Sequence, residues 1–450
     1  MTASFDLVVI GTGSGGSAPA YRCRRAGWRV AVVDELPFGG TCALRGCDPK
    51  KVLVGAAEAW DVARRLKGRG IAGNTRISWT ELMRFKRTFT DPVPENRVAA
   101  FRRAGIECYH GPARFVAPDQ VAVDGSTLTA RHFVIAAGAT PRKLGIPGEE
   151  HVLTSTQFLE LDQLPARVAF VGAGYISFEF AHVAQRAGAQ AIVIGRGQPL
   201  KRFDADLVAR LVEHTRSLGV ELRLGMAVTA VERRGSGFRV ELAGPAGKTA
   251  IEADAVVHGG GRVPNTQHLD LAAAGVAVEP GSGVCVNAFL QSTTNPRVYA
   301  AGDVAASPGA APLTPVAGYQ GTIVASNLLE GNNRTPDYRG VPSVAFTIPP
   351  LAAVGLTEAE ARAQGIPVRM KQQDTSGWYS ARRLAETCAI AKVILAEEED
   401  RILGAHLLGP HAEEVINLFA LAIRCRVPAS DLKHQLYAYP TSGSDVPYLL

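Results

Sequence analysis

No stretch of these 450 residues stays apolar for the ~18 positions that a membrane-crossing helix needs, so no span through a bilayer is expected. The opening "MTASFDLVVIGTGSGG" has no basic leader and runs at once into strand-like residues, so no signal peptide is expected and a cytoplasmic setting follows. Dense Lys/Arg runs are also missing. The net charge of +6 is mild; it gives no reason to expect nucleic acid, yet it suits an anionic ligand such as a phosphate. Cysteine is scarce, with seven in the chain, and in a reducing compartment these should mostly be thiols. Cys23, Cys108, Cys285, Cys388 and Cys425 stand singly and read as core fillers or plain surface thiols. Cys42 and Cys47 do not fit that description. They lie five apart in "GGTCALRGCDPKK", as a structural pair, half of a metal site or a redox couple.

Glycine, by contrast, is plentiful at 47 residues, and many are clustered where tight turns or close backbone approach are wanted. With 46% hydrophobic and 20% charged residues the composition is that of a globular protein, and the length calls for two to four domains.

"FDLVVIGTGSGGSAPAYRCRRAGWRVAVVDE" reads as strand, glycine turn, helix, strand. The run Leu7 to Ile10 is apolar and β-branched, as a strand buried on both faces should be. Gly11, Gly13 and Gly16 form G-x-G-x-x-G: the first permits the turn, the second lets backbone approach a pyrophosphate, and the third lets helix pack on strand. The helix N-terminus offers free N–H groups to that pyrophosphate. Asp34 ends the second strand, where a carboxylate accepts hydrogen bonds from ribose hydroxyls.

The pattern returns in "RVAFVGAGYISFEFAHVAQRAGAQAIVIGRGQPLKRFD". Gly172 and Gly174 keep the first two places, Ser177 takes the third, and the strand ending at Ile194 has no acid after it. Arg196, Lys201 and Arg202 follow instead, and such bases attract a 2′-phosphate that a carboxylate would repel. The first site therefore suits an unphosphorylated adenosine ribose and the second suits NADPH; a solvated surface loop is the other reading of these bases. "FVIAAGATPRKLGIPG" and "AVVHGGGRVPNT" read as strands leading into Gly/Pro-rich domain edges, and "VYAAGDVA" adds a small strand-and-glycine element with Asp303 placed to accept a hydrogen bond. From about Val341 strand-like runs meet one amphipathic helix, "HAEEVINLFALAIRCR", in an α+β layer suited to packing against a partner.

Together these stretches resemble, in order and over nearly the whole length, the class I flavoprotein disulfide reductases, the pyridine nucleotide-disulfide oxidoreductase family of glutathione reductase, dihydrolipoamide dehydrogenase and mercuric reductase. "GGTCALRGCDPKK" resembles the redox-disulfide motif, "GAGYISFE" the NAD(P)H site, "GRVPNT" its exit and "VYAAGDV" the second FAD motif. "LTPVAG" resembles the flavin-edge helix and "PPLAAVGLTE" the start of the dimerisation domain. The implied fold is α/β, with two Rossmann-like dinucleotide-binding domains for FAD and NAD(P)H and a C-terminal α+β dimerisation domain. Its implied boundaries are 1–150 (FAD), 151–262 (NADPH), 263–335 (central, completing the FAD site) and 336–450 (interface).

The resemblance also implies roles. Cys42 is the interchange thiol that attacks substrate, and Cys47 the thiolate that lies against the flavin. Zinc is a poor alternative, because a structural ion wants four ligands and no second C-x-x-C or H-x-x-x-H pair appears; no resident metal is expected. Lys51 matches the family's lysine near flavin N5, Glu179 its ion-pair partner, and Tyr175 the aromatic gate over the nicotinamide site. Gly40, Thr41, Gly138, Asp303 and Thr314 match flavin-site positions, and Ile176 and Gly261 nucleotide-site positions. The implied partners are a small-molecule disulfide or other electron acceptor and a second copy of the chain with shared active sites.

The tail departs from the pattern. Where disulfide-reducing members carry H-P-T-x-x-E, this chain has Tyr439, Pro440 and Thr441, with Ser444 at the glutamate position. Leu44 replaces an asparagine of the redox motif, Ile348 a histidine before "PP", and Tyr21 an arginine for the glutathione carboxylate. Three readings stay open: an NADPH-dependent reductase of some disulfide, with His434, Asp445 or solvent in place of the missing acid; a metal-ion reductase resembling mercuric reductase; or a flavin redox sensor with poor turnover, switched by Cys42–Cys47. The ending "DVPYLL" lacks the vicinal cysteines of mercuric reductases.

Overall fold

The computed structural model describes residues 2–450, and the chain divides into two compact units. The first runs to Lys50 and takes in Phe85–Arg142 and Arg262–Tyr338. Its centre is the strand Thr2–Ile10, longer than the apolar run alone predicts, paired in parallel with Val30–Asp34 on one side and Ser126–Ile135 on the other. Glu107–His110 extends the sheet beyond Val30–Asp34, Val298–Ala300 runs parallel to the end of Ser126–Ile135, and the hairpin Arg114–Ala117/Gln120–Val123 joins the start of that strand. Leu7 and Val9 pack with Val30, Val32, Ala20 and Cys23, while Val8 and Ile10 pack with Ala31, Val33, Phe115 and Phe133. Both faces of the strand are thus covered, which is why its sequence is apolar without alternation. The strand order reverses at Thr2–Ile10, so the turn after Ile10 opens into the crevice where such sheets take their ligands. Helix Ser14–Arg25 is backed there by helix Thr314–Glu330, close enough that a Cβ at Gly321 would stand 2.4 Å from Gly15 O.

The second unit comprises Lys51–Arg84, Lys143–Gly261 and Arg339–Leu450. Arg167–Val171, helix Tyr175–Arg186, Gln190–Gly195, helix Ala205–Ser217 and Glu221–Leu224 repeat the parallel winding, with Ala255–His258 added beside Arg167–Val171. An antiparallel ribbon of Ala227–Arg234, Gly237–Gly244 and Gly247–Ala253 covers one face through Val231, Val240 and Leu242. A five-stranded antiparallel sheet, from Ser343–Ala345 to Val368–Asp374, carries helix Ala412–Cys425 on Ile416 and Phe419. These are the two dinucleotide folds and the α+β layer that the motifs imply. Among the described residues, no helix is long and apolar enough to cross a membrane.

A buried charge network ties this unit together. Arg186, the last residue of its helix, places Nε 2.9 Å from Asp61 Oδ1, and Arg65 places Nε 2.8 Å from Asp61 Oδ2. Burial works against the Asp61 charge, but the two guanidiniums outweigh it and hold the carboxyl below its usual range. Asp61→Ala would leave Arg186 charged and uncompensated in the interior, so a loss of ~3–5 kcal/mol is expected. Denaturant unfolding followed by far-UV circular dichroism measures it, and a loss under about 1 kcal/mol would show that the pair contributes little.

Candidate active site

Helix Gly40–Arg45 carries Cys42, the chain breaks at Gly46, and helix Cys47–Arg65 starts on the second cysteine. A Cβ at Gly46 would stand 2.9 Å from Thr41 O, so the break is built on a residue without one. Both thiols are free, and they are close enough to hydrogen-bond. That bond splits their acidities. The hydrogen bond from Cys42, further contacts from Thr314 Oγ1 at 3.3 Å and the nearby Lys50 charge bring Cys47 down to about 6 against the effect of burial. Cys42, as the donor, is pushed far above the ordinary thiol range by the same bond and by burial. Cys47 also begins a 19-residue helix, whose N-terminal dipole favours a thiolate. Thr314 comes from the first turn of its own helix.

The glycine turn lies against the cysteine segment. A Cβ on Gly40 (φ +76°) would stand 2.4 Å from Gly13 Cα, and one on Gly16 would stand 2.1 Å from Gly11 O. Thr12 joins the parts: its hydroxyl donates to Asp34 Oδ2 at 2.6 Å and accepts from Gly39 N at 3.0 Å, while its own N–H reaches the same carboxylate at 2.8 Å. Asp34 Oδ1 accepts from Leu36 N at 3.1 Å, which uses three of a carboxylate's ~4 acceptor positions and leaves room for a hydroxyl donor. Asp303 follows Val298–Ala300, and burial raises its carboxyl against the pull of Arg262. Gly138 and Gly261 flank a two-stranded ribbon, Ala139–Pro141 with Arg262–Pro264, closed by Asn265 N on Gly138 O at 2.9 Å. A side-chain-free cradle at a helix N-terminus, with an acid at the next strand's end, fits a flavin dinucleotide.

In the second unit, Gly174 caps helix Tyr175–Arg186, and a Cβ on Gly172 would stand 2.4 Å from Gly259 O. The missing third glycine is explained here. A Cβ on Gly259 would stand 2.0 Å from Ser177 Oγ, so the space is conceded by the neighbouring strand end and not by the helix. Gly259 escapes sequence reading because it lies 82 positions away; "HGGG" is its only signal. Ser177 Oγ is buried without a hydrogen-bond partner. Ile176 is half-buried, Tyr175 is exposed, and Arg196, Lys201 and Arg202 are exposed just past the strand Gln190–Gly195.

Lys51 pairs differently from the resemblance. Its Nζ lies 3.1 Å from Glu58 Oε1, two turns along the same helix, and 4.7 Å from the centre of the Phe346 ring. Glu179 is buried, and its Oε1 accepts from Phe346 N at 2.7 Å. The lysine and the glutamate both meet Phe346, the lysine over its ring and the glutamate at its backbone N–H. Tyr439 is 82% exposed. Ser444, at the glutamate position, is spent locally: it donates to Thr441 O at 2.6 Å within a capping box. Burial raises the Asp445 carboxyl, against a hydrogen bond from Ser380.

Two dinucleotide folds and a thiol pair of split acidity define a pyridine-nucleotide-linked dithiol redox protein. The comparisons agree. Residues 5–321 match the profile "Pyridine nucleotide-disulphide oxidoreductase" and residues 341–448 that family's dimerisation domain, so the chain belongs to this family. Glutathione reductase from Burkholderia cepacia is 34% identical over 98% of this chain and 97% of its own, and mercuric reductase from Staphylococcus aureus is 32% identical over 97% and 80%. The structure of RclA, an HOCl-induced flavoprotein disulfide reductase from Escherichia coli, matches at a TM-score of 0.88 with 26% identity, covering 99% of both chains. The chain is accordingly a flavoprotein disulfide oxidoreductase using FAD and a pyridine nucleotide.

In the thiol-reduced protein stripped of flavin, alkylation of Cys47 should rise through a midpoint near pH 6, and that of Cys42 only above the ordinary thiol range. The sign follows from the reactive form being the thiolate, which accumulates as pH passes the pKa. Thr314→Val should move the Cys47 midpoint upward. Mass spectrometry after timed alkylation reads both sites, and equal midpoints would overturn the assignment.

Proposed function

We propose that the protein is an NADPH-dependent, FAD-containing reductase of a low-molecular-weight disulfide, working as a homodimer with shared active sites. In this reading residues 1–150 and 263–335 hold FAD, 151–262 hold NADPH and 336–450 form the interface. The observation that carries it is the Cys42–Cys47 pair, two free thiols set on either side of the Gly46 break, with Thr314 Oγ1 3.3 Å from Cys47 Sγ. Asp34, Asp303, Thr41 and the glycines at 11, 13, 16, 40 and 138 would hold the flavin. Once bound, that group supplies the two-electron relay between nicotinamide and disulfide.

The residues then divide the work. Cys42 gives its proton to Cys47 and attacks the substrate disulfide, releasing one thiol. Cys47 passes that proton to the first departing thiolate and, again a thiolate, attacks Cys42 Sγ, displaces the second thiolate and closes the Cys42–Cys47 bond. The second departing thiolate needs a proton from another donor, and the family's histidine is absent. Tyr439, whose phenol hydroxyl can donate, is the tail's donor. Asp445 is favoured over His434 as a reserve, since burial raises its carboxyl. Arg196 and Lys201 would take the 2′-phosphate, with Gly172, Gly174, Ile176 and Gly261 shaping the nucleotide site and Tyr175 gating it.

The similarity to a mercuric reductase supports a second reading, a metal-ion acceptor. A screen of NADPH turnover against glutathione disulfide, other small disulfides, quinones, Hg(II) and Cu(II) separates the two; Cu(II) is included because RclA has been seen in complex with it. No disulfide turnover would overturn the first reading.

NADPH should reduce the holoenzyme to a two-electron form with a long-wavelength charge-transfer band that Cys47→Ser abolishes. NADPH should outcompete NADH, and Arg196→Ala with Lys201→Ala should raise KM for NADPH by roughly tenfold while leaving NADH little changed. An unchanged preference would remove both bases from the site.

Tyr439→His should raise turnover of small disulfides, by less than the ~10²–10⁴-fold a fully oriented general acid supplies, because Ser444 cannot orient the new imidazole. Steady-state kinetics checks it. No change would show that proton delivery does not limit turnover.

A further inference from the structure

Asp48 is the second residue of helix Cys47–Arg65, and it is exposed. Its Oδ1 accepts from Cys42 Sγ at 3.8 Å, within reach of a sulfur donor. In an unbroken helix six positions span about 9 Å of rise, so the contact depends on the break at Gly46. Cys42 thus has one proton and two acceptors for it, the Cys47 sulfur and the Asp48 carboxylate. The carboxylate also opposes a thiolate on Cys42, the form in which that sulfur is a nucleophile. A first helical turn favours an acid in any case. That preference accounts for a charge at position 48 but not for its facing Cys42.

An acceptor meets the same charge. A disulfide attacked by Cys42 brings a sulfur within ~3–3.5 Å of Sγ before reaction. A charged group two carbons further on then stands roughly 6 Å from the carboxylate, inside the ~8 Å screening length of physiological salt. At that separation one unit of substrate charge is worth about threefold in water, and more where water is excluded. The bases of the segment act elsewhere: Arg45 lies in the field of Asp34 and Glu35, Lys51 pairs with Glu58, and Lys50 acts on Cys47. Tyr21, where the resemblance puts an arginine for a glutathione carboxylate, stacks its ring on Phe101 with centres 5.0 Å apart and brings no cation.

We propose that Asp48 is a specificity residue for the electron acceptor: its carboxylate beside Cys42 Sγ favours disulfides with cationic or neutral arms and turns away those with anionic ones. This rests on the reading that Cys42 attacks a low-molecular-weight disulfide.

The test measures kcat/KM of the holoenzyme with NADPH for three disulfides with matched two-carbon arms: cystamine (a dication), 2-hydroxyethyl disulfide (neutral) and 3,3′-dithiodipropionate (a dianion). Wild type, Asp48→Asn and Asp48→Glu are compared. The three leaving thiols differ in intrinsic reactivity, so what counts is the effect of each substitution on each substrate. Asp48→Asn should raise kcat/KM for the dianion relative to the dication by roughly tenfold, two units of charge at about threefold each, with the neutral disulfide between them. Asp48→Glu should keep most of the wild-type ratio. Salt near ~1 M, where the screening length falls to ~3 Å, should shift the wild-type ratio in the same direction as Asp48→Asn and leave that variant little changed. A second measurement needs no turnover. In the NADPH-reduced holoenzyme, Cys42 is alkylated with iodoacetate or iodoacetamide and followed by mass spectrometry. Asp48→Asn should raise the iodoacetate-to-iodoacetamide rate ratio about threefold, since any change in thiol acidity affects both reagents alike. An equal change for all three disulfides, or none, would overturn the proposal, as would an unchanged alkylation ratio. Wild-type enzyme that turns over none of the three would overturn the reading beneath it, and the alkylation ratio would then decide the role of Asp48. Alkylation of Cys47 in place of Cys42 would overturn both.

Discussion

Thr12 is the joint on which the flavin-site half of the molecule turns. Its hydroxyl sits between the carboxylate that ends one strand and the backbone that opens the cysteine segment, donating to Asp34 and accepting from Gly39. This works only because Gly13 and Gly40 have no side chains, since a Cβ on Gly40 would overlap Gly13. The glycine turn, Asp34 and the cysteine segment are thereby fixed against one another by two hydrogen bonds and one close backbone contact. Any side chain at position 40 would have to displace the cysteine segment from the glycine turn.

The thiol chemistry builds on that placement. A cysteine at the first position of a long helix already favours its thiolate. The second cysteine adds a donor, and the break at Gly46 sets the two sulfurs side by side. The Cys42 neighbour and Thr314 lower the Cys47 thiol while the same pairing and burial raise Cys42, so the two sulfurs differ in acidity. Thr314 reaches Cys47 from a different helix.

How much of this was legible in the sequence depended on the range of the interaction. Glycine turns, strands buried on both faces and the helix Ala412–Cys425 are local patterns, and the strand ends at Ile10, Asp34 and Ile194 could be read within a few residues. The thiol pair was legible because its partners are five positions apart. Gly259 was not, because it compensates for Ser177 across a strand pair that no local pattern announces. Nor was the pairing of Lys51, since Glu58 is an ordinary helical glutamate until the fold sets its carboxylate beside the ammonium. Buried polar partners are chosen by tertiary geometry, and the sequence shows only that such groups exist.

The segment 346–348 makes the same point in energetic terms. The resemblance puts a histidine where Ile348 stands; here the side chain at 348 is apolar and the imidazoles come from outside, His182 to its N–H and His214 to its C=O. A buried peptide unit left unpaired costs roughly 1–3 kcal/mol per group, so these two rings and Arg186 meet a demand that any fold burying this turn would face. Meeting it with the helix that Gly174 caps has a mechanical consequence. The end of that helix holds Asp61 while its middle holds Phe346, and the lysine between them has its ammonium placed by both. Helix Tyr175–Arg186 thus contacts both the helix that carries Lys51 and the segment whose ring lies under its ammonium.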